Sequence, residues 1–276
     1  MGVGRMHCMT QKAYEIFHPK ASIARADKVS AVRHLSPWAE GTTSPINGDR
    51  AKIKQELVSL NPKDYGASRN HLYGAVTRLS PFIRHGALTL DEVRNVALER
   101  AGPKDAEKFI QQLAWRDYWQ RLYERHPERI WHDVEDYKTG FGPEDYADAL
   151  PEDVANAQTG TACIDQFLTQ LIETGWIHNH VRLYLAGYIC HWRRVKWQAG
   201  ARFFLVHLLD GDPASNNLSW QWAASTFSHK PYFFNLENVS KFSGPDIDTR
   251  YNNNKDLAGS YEDLSARLFP HMEPSR

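Results

Sequence analysis

The chain has 276 residues, 42% of them hydrophobic, which is ample for a large core, and 33 basic residues balance 33 acidic ones. Zero net charge excludes any argument for nucleic acid from bulk charge alone. Three cysteines (Cys8, Cys163, Cys190) contain no CxxC pair and cannot form an even disulfide set, which suits a reducing cytoplasm.

The opening MGVGRMHCMTQK lacks the apolar run of a signal peptide, and no segment approaches ~18 unbroken apolar residues. The expectation is a cytoplasmic protein with no membrane partner. Residues 1–50 show little periodicity, and SPWAEGTTSPINGD (36–49) is dense in turn formers, so an arm or linker is expected there. AKIKQELVSL (51–60) reads as a helix stopped by Asn61-Pro62.

After Gly102-Pro103, the residues Phe109, Leu113, Trp119 and Leu122-Tyr123 recur at the spacing of one helical face. Ile164, Phe167-Leu168 and Leu171-Ile172 mark a second helix ended by Gly175. Val181–Trp192 is apolar nearly all round, as in a helix inside a bundle, and Ala201–Leu209 is a further helix. NNNK (252–255) reads as a polar turn. Alternation of period two is scarce. The predicted architecture is all-α, with an arm over 1–50, one large helical domain over 51–244 and a tail over 245–276.

Charge is distributed unevenly. No acid lies between Thr174 and Leu209, where Arg182, Arg193, Arg194, Lys196 and Arg202 fall, whereas nine acids fall between Glu128 and Asn156. Two readings stay open: a basic face for phosphates, or two surfaces that pair with each other.

GxSxG, HExxH and P-loop patterns are absent. His178 and His180 are two residues apart, and Cys190 has no partner at zinc spacing, so no metal site is expected. Aromatics say more. Trp115 and Trp119 lie one helical turn apart. Trp119 reads as core, whereas Trp115 beside Arg116 and Trp222 beside Gln221 suit a cavity wall for a planar ligand or an unstacked base.

Six segments carry a resemblance: YGASRN (65–70), TRLSP (77–81), QLAWRDY (112–118), GWIHNHVR (175–182), DGDPASNNLSWQWAAS (210–225) and KPYFFN (230–235). In this order and spacing they resemble the FAD-binding helical domain of the DNA photolyase/cryptochrome family, over roughly residues 51–244. The family's antenna domain has no counterpart in the first fifty residues, so FAD is the expected cofactor and no antenna chromophore is expected.

The resemblance implies that Tyr65, Thr77, Arg78, Leu79 and Ser80 line the adenosine and phosphate end of FAD, with Arg116 beside them. Asp210 and Asp212 would meet the flavin's polar rim, with Arg182 paired to Asp210, and Asn216 would approach flavin N5. Trp115 and Trp222 would embrace a flipped-out pyrimidine dimer that Asn179 contacts. Arg69 and the basic residues of 182–202 would take phosphates.

Trp220 and Trp197 match the inner two members of the family's electron-hopping tryptophan chain. Glu144 stands in the outermost position, leaving Tyr146, Phe141 or Trp192 as substitutes, or an electron chain that stops short. Gln112 stands where the repair enzymes place a catalytic glutamate, and Leu218-Ser219 replace two glycines, which is expected to alter the flavin pocket.

The implied activity is that of a monomeric photolyase-like carbon–carbon lyase, repairing cyclobutane dimers in UV-damaged DNA with light. The dimer would be met in single-stranded or flipped-out form. Two alternatives are a cryptochrome-like blue-light sensor without repair and a nucleic-acid-binding remnant without FAD.

Overall fold

Asn61-Pro62 begins a helix just after the preceding one has closed at Val58, ahead of the stop the sequence suggests. In the computed structural model, which describes residues 25–36, 43–46, 48–227, 230–248, 257 and 259–272, the chain divides into two units, Met1–Pro45 and Ile46–Arg276. The NNNK turn lies outside the described residues, as does much of the arm expected over 1–50. Within the first unit, α1 spans Arg25–Leu35.

The second unit opens with α2 (Arg50–Val58), whose N-cap Asp49 accepts from the amides of Ala51 and Lys52. Asn61 then caps α3 (Pro62–Ser68), with proline at the start, where its missing N–H costs nothing. A short α4 (Ser80–Arg84) repeats the pattern with Pro81.

A Thr89–Glu92 capping box starts α5 (Leu90–Arg125). This helix bends at Gly102, whose φ of 70° lies in the left-handed region just ahead of Pro103. Proline disfavours helical backbone in the residue before it, and glycine tolerates the alternative. The helical face read from Phe109 onward therefore belongs to the second half of a longer, bent helix.

After a short α6 (Glu152–Ala155), α7 (Ala162–Thr174) ends on Gly175 in the left-handed conformation, as the sequence predicts. Next, α8 (Asn179–Gly187) widens into a π-helical turn over Tyr188–Trp192. Then come α9 (Trp197–His207), α10 (Pro213–Ala224), α11 (Leu236–Phe242) and α12 (Tyr261–Leu268). The last helix docks Leu264 and Leu268 into a cluster with Phe233 and Phe269, giving the tail a buried contact.

Among the described residues there is no strand, only an isolated bridge between Ala147 and Val195. The chain is all-α. Nor, among those residues, is any helix long and apolar enough to cross a membrane.

Besides the small cluster around Phe233 and Phe269, two larger hydrophobic cores form among the described residues. One gathers Ile53, Leu57, Leu79, Phe82, Val93 and Phe109. The other, around α7–α10, gathers Phe167, Leu171, Tyr184, Trp197, Phe204 and Trp220. Leu79 and Phe109 from the first and Phe204 and Trp220 from the second line a cavity of about 880 Å³.

α9 and α10 approach so closely at Gly200 that a Cβ there would fall 2.2 Å from the Trp220 ring. The missing side chain lets the Trp220 indole lie on the α9 backbone. Gly200→Ala is therefore expected to cost about 1–3 kcal/mol through overpacking, measured as a shift in the urea midpoint; unchanged stability would show that the ring moves freely.

Candidate functional site

Helical spacing builds one wall of the cavity. Gln112, Trp115, Arg116 and Trp119 follow the i, i+3, i+4, i+7 pattern on α5, and all four line it. Trp115 and Trp119 stack, with centroids 5.6 Å apart and planes at 29°. Trp119, read from the sequence as core, is instead half-buried at the cavity and packs edge-on against Phe227.

The opposite wall comes from α8, the turn at 208–212 and α10. Asp210 is buried, and its carboxylate accepts from the Arg182 guanidinium at 2.8 Å. Burial pushes the Asp210 carboxyl up, but the charge and hydrogen bond of Arg182 outweigh it and hold the group below the usual carboxylate value.

Asp212 caps α10 by accepting from the Ala214 amide at 3.0 Å. The same carboxylate takes Arg116 of α5 at 3.1 Å and the Gln120 amide. Arg116 is thus tied to the aspartate end of the cavity, rather than standing apart with the TRLS segment.

That segment lies on the rim of the first core. Arg78 has φ of 51°, a left-handed backbone uncommon outside glycine, and its guanidinium sits 4.6 Å over the Trp176 ring. Thr77, Leu79 and Ser80 line the cavity beside it, together with Tyr65, which packs edge-on against Phe109 at 5.0 Å. Desolvation raises the Tyr65 phenol above its ordinary value, against the opposing influence of Arg69.

Asn216 spends both amide hydrogens on the Ala201 carbonyl at 3.0 Å and on Asn217 Oδ1 at 2.9 Å. Its carbonyl is left as the acceptor for a ligand. Trp115 and Trp222 are 54% and 40% exposed, high for tryptophan, and both line the same cavity as Asn179 and Arg69.

Every residue selected from the motifs lines this cavity except Trp197. That residue is wholly buried behind the wall, in the core that also contains Trp220. The motif reading does not select Trp119, Trp176 or Phe227, although Trp176 lies inside the GWIHNHVR segment.

Leu218 and Ser219 divide between two environments. Leu218 is buried away from the cavity, whereas Ser219 lines it. α10 runs unbroken through both positions.

The basic residues of 182–202 do not form an open phosphate-binding face. Arg193 pairs with Asp153 at 2.7 Å, and Lys196 with Asp148 at 2.6 Å. Arg194 lies over Phe141 and Arg202 over Trp131. Asp153 and Asp148 of the acidic segment close on Arg193 and Lys196, which takes these two out of the phosphate reading.

The cavity contains groups that call for a ligand. Asp210 Oδ1 and His178 Nε2 are buried without a partner in good hydrogen-bond geometry, the nearest protein groups being the Ser80 side chain and the Arg69 carbonyl. Desolvation pushes His178 down to about 4, so its ring is neutral. Nδ1 accepts from the His180 amide at 3.0 Å, which leaves Nε2 carrying the proton as a donor. A ligand offering both a donor and an acceptor would satisfy these groups, and the space and aromatic walls suit a large, partly planar one. Among the described residues, no group of three or more His, Cys, Asp or Glu is placed to hold a metal ion.

Fold and site together define a helical cofactor-binding domain with an aromatic mouth. Residues 109–253 match the family model described as the FAD binding domain of DNA photolyase, more than half of the chain. The chain belongs to this family, and FAD is its cofactor.

A deoxyribodipyrimidine photo-lyase of Streptomyces griseus is 35% identical over 199 residues, covering 71% of this chain and 42% of its own length. An archaeal photolyase from Sulfolobus tokodaii, solved with two FAD molecules, matches with a TM-score of 0.62 at 27% identity, covering 76% of this chain and 48% of that one. A Synechocystis cryptochrome matches with a TM-score of 0.61 at 19% identity, covering 86% and 49%, and shares the fold. The chain spans about two fifths of the length of the Streptomyces relative.

The Arg182–Asp210 pair yields a prediction with a definite pH sign. In the native chain the depressed Asp210 contributes stability above its unfolded value and loses it as pH falls. Arg182→Met leaves a buried, unpaired carboxylate, and the sign reverses. The variant is expected to lose about 3 kcal/mol at neutral pH and to recover part of it on mild acidification, as Asp210 takes up a proton. Urea unfolding at two pH values reads both; a pH-independent loss would place the effect elsewhere.

Proposed function

We propose that the chain binds FAD in this cavity and works as a photolyase-like flavoprotein, splitting cyclobutane pyrimidine dimers in UV-damaged DNA with light. The observation that carries the reading is the pairing of two exposed tryptophans, Trp115 and Trp222, with a cavity whose inner wall holds the Arg182–Asp210 and Arg116–Asp212 pairs. The reading puts the cofactor inside and an extruded pyrimidine dimer at the mouth. When bound, the flavin supplies the light-driven one-electron chemistry, which the protein positions and tunes.

The chain's own residues divide the remaining work. Arg78, Thr77 and Ser80 offer a guanidinium and two hydroxyls to the pyrophosphate, next to the Tyr65 ring. Asp210 and Asp212, fixed by their arginines, meet the polar rim of the isoalloxazine. The carbonyl of Asn216, whose amide hydrogens are both used within the protein, would be the acceptor offered to a flavin N–H.

Trp115 and Trp222 stack on the flipped dimer, Asn179 hydrogen-bonds it, and Arg69 takes a flanking phosphate. Trp220 lines the cavity, and Trp197 lies in the same core, which supports reading the two as the inner electron donors.

Gln112 favours a second reading, a blue-light sensor with flavin but no repair. An amide at the lesion position donates a hydrogen bond but supplies no acidic proton.

The purified protein is expected to be yellow and to remove dimers from single-stranded DNA under blue light after photoreduction. A colourless protein that takes up no added FAD would defeat both readings, whereas a yellow one that leaves dimers intact would leave the sensor. Gln112→Glu is expected to raise the repair rate, and no gain would mean that the carboxylate is not limiting. Trp220→Phe is expected to slow flavin photoreduction at unchanged FAD content; an equal rate would remove Trp220 from the electron path.

A further inference from the structure

None of the three rings that the sequence offers as outermost electron donor is stacked on Trp197. Tyr146 is buried against Tyr137 and hydrogen-bonds Thr139, Phe141 lies under Arg194, and the Trp192 indole donates to the Phe234 carbonyl. The ring stacked on Trp197 is Trp131, with centroids 6.3 Å apart and planes at 8°. Trp197 is wholly buried, whereas Trp131 is half-buried.

Two residues beyond Trp131, the exposed Asp133 accepts the Trp197 indole N–H at 2.5 Å, and Gln198 donates to the same carboxylate oxygen at 3.3 Å. Helix α10 fixes this loop. Asn217 donates to the Ile130 carbonyl at 2.8 Å and Gln221 to the Arg129 carbonyl at 2.7 Å, while Gln221 accepts from the Val134 amide at 3.1 Å.

We propose that Trp131 and Asp133 form the outer end of the electron path, with Asp133 accepting the indole proton of Trp197 when that residue is oxidised. The proposal rests on the reading that Trp197 and Trp220 feed a bound flavin. A positive charge on a fully buried indole is costly without compensation. A carboxylate in a charge-assisted hydrogen bond to the indole N–H provides it.

The balance is one electron and one proton. Trp197 loses an electron inward to Trp220, and its N–H proton crosses the hydrogen bond to Asp133. A neutral indolyl radical and a neutral carboxylic acid remain, and the exposed acid can exchange its proton with water. A soluble thiolate restores the resting state by giving one electron through Trp131 and becoming a thiyl radical, while Trp197 regains a proton. Arg202, 4.9 Å over the Trp131 ring, disfavours positive charge there and keeps the hole on the carboxylate side of the stack.

The test uses flash photolysis with an absorption readout that separates the neutral indolyl radical from its cation. The wild-type protein is expected to give the neutral radical, with slower formation in D2O than in H2O. Asp133→Asn is expected to give the cation, faster charge recombination and a several-fold lower photoreduction yield at unchanged FAD content and melting temperature, with Asp133→Glu restoring the neutral radical. Trp131→Phe is expected to abolish the near-ultraviolet circular-dichroism couplet of the stacked indoles, with or without FAD, and to slow re-reduction by thiol.

An isotope-independent cation in the wild-type protein overturns the proposal even if Asp133→Asn fails to fold. So does an unchanged radical spectrum in Asp133→Asn while Trp220→Phe abolishes photoreduction. If the protein takes up no FAD, or if Trp220→Phe leaves photoreduction unaffected, the underlying flavin reading fails instead. Oxidation of the flavin-free protein by an external ruthenium photo-oxidant then still reads whether Trp197 deprotonates to Asp133.

Discussion

Two buried carboxylates at the start of α10, each neutralised by an arginine from a different helix, are the constraint on which the rest of the site depends. Asp210 requires Arg182 of α8, and Asp212 requires Arg116 of α5. Removing such charges from water is expensive, and neither aspartate is tolerable without its partner. The pairs therefore fix α5 and α8 relative to α10 and hold open the space between the two hydrophobic cores. Ion pairs replaced by apolar side chains would let the cores close and the cavity fill. Stability alone does not require these charges, and a ligand with polar edges does.

The same economy governs α10 as a whole. This helix is in contact on almost every side, so its polar residues serve as fasteners. Asn216 holds α9 through the Ala201 carbonyl, and Asn217 and Gln221, one turn apart, hold the 129–134 loop. The Ala223 carbonyl accepts from His191 and, through the Tyr232 amide, anchors the segment that follows. Gly200 lets Trp220 settle against α9 at the distance these bonds require. Cofactor wall, tryptophan pair and outer loop are consequently one mechanical unit.

Charge segregation along the chain has a structural outcome. The acid-rich stretch and the acid-free stretch fold onto each other, through Asp153 with Arg193 and Asp148 with Lys196. Counting charges by segment describes this folding interface, because paired charges no longer project a field. Arg69 lines the cavity and takes no part in this pairing.

The sequence by itself determined the helical class, the glycine and proline breaks and, through its motifs, part of the cavity lining. Each of these follows from local spacing or from a motif whose order along the chain is specific. Gly175 ends its helix because its backbone turns left-handed, which glycine tolerates, and Gln112, Trp115 and Arg116 share a wall because helical periodicity dictates it. Tertiary structure alone decided the rest, because those choices depend on what lies opposite. Trp119 moved from expected core to cavity when Trp115 and Phe227 met it, and Arg116 went to Asp212, 96 positions along the chain. Leu218 turned into the core and left Ser219 at the cavity. Trp131 and Asp133 belong to no motif; they reach Trp197 only because buried amides of a distant helix hold their loop against it. Spacing fixes which residues share a helix face, and packing fixes what that face meets.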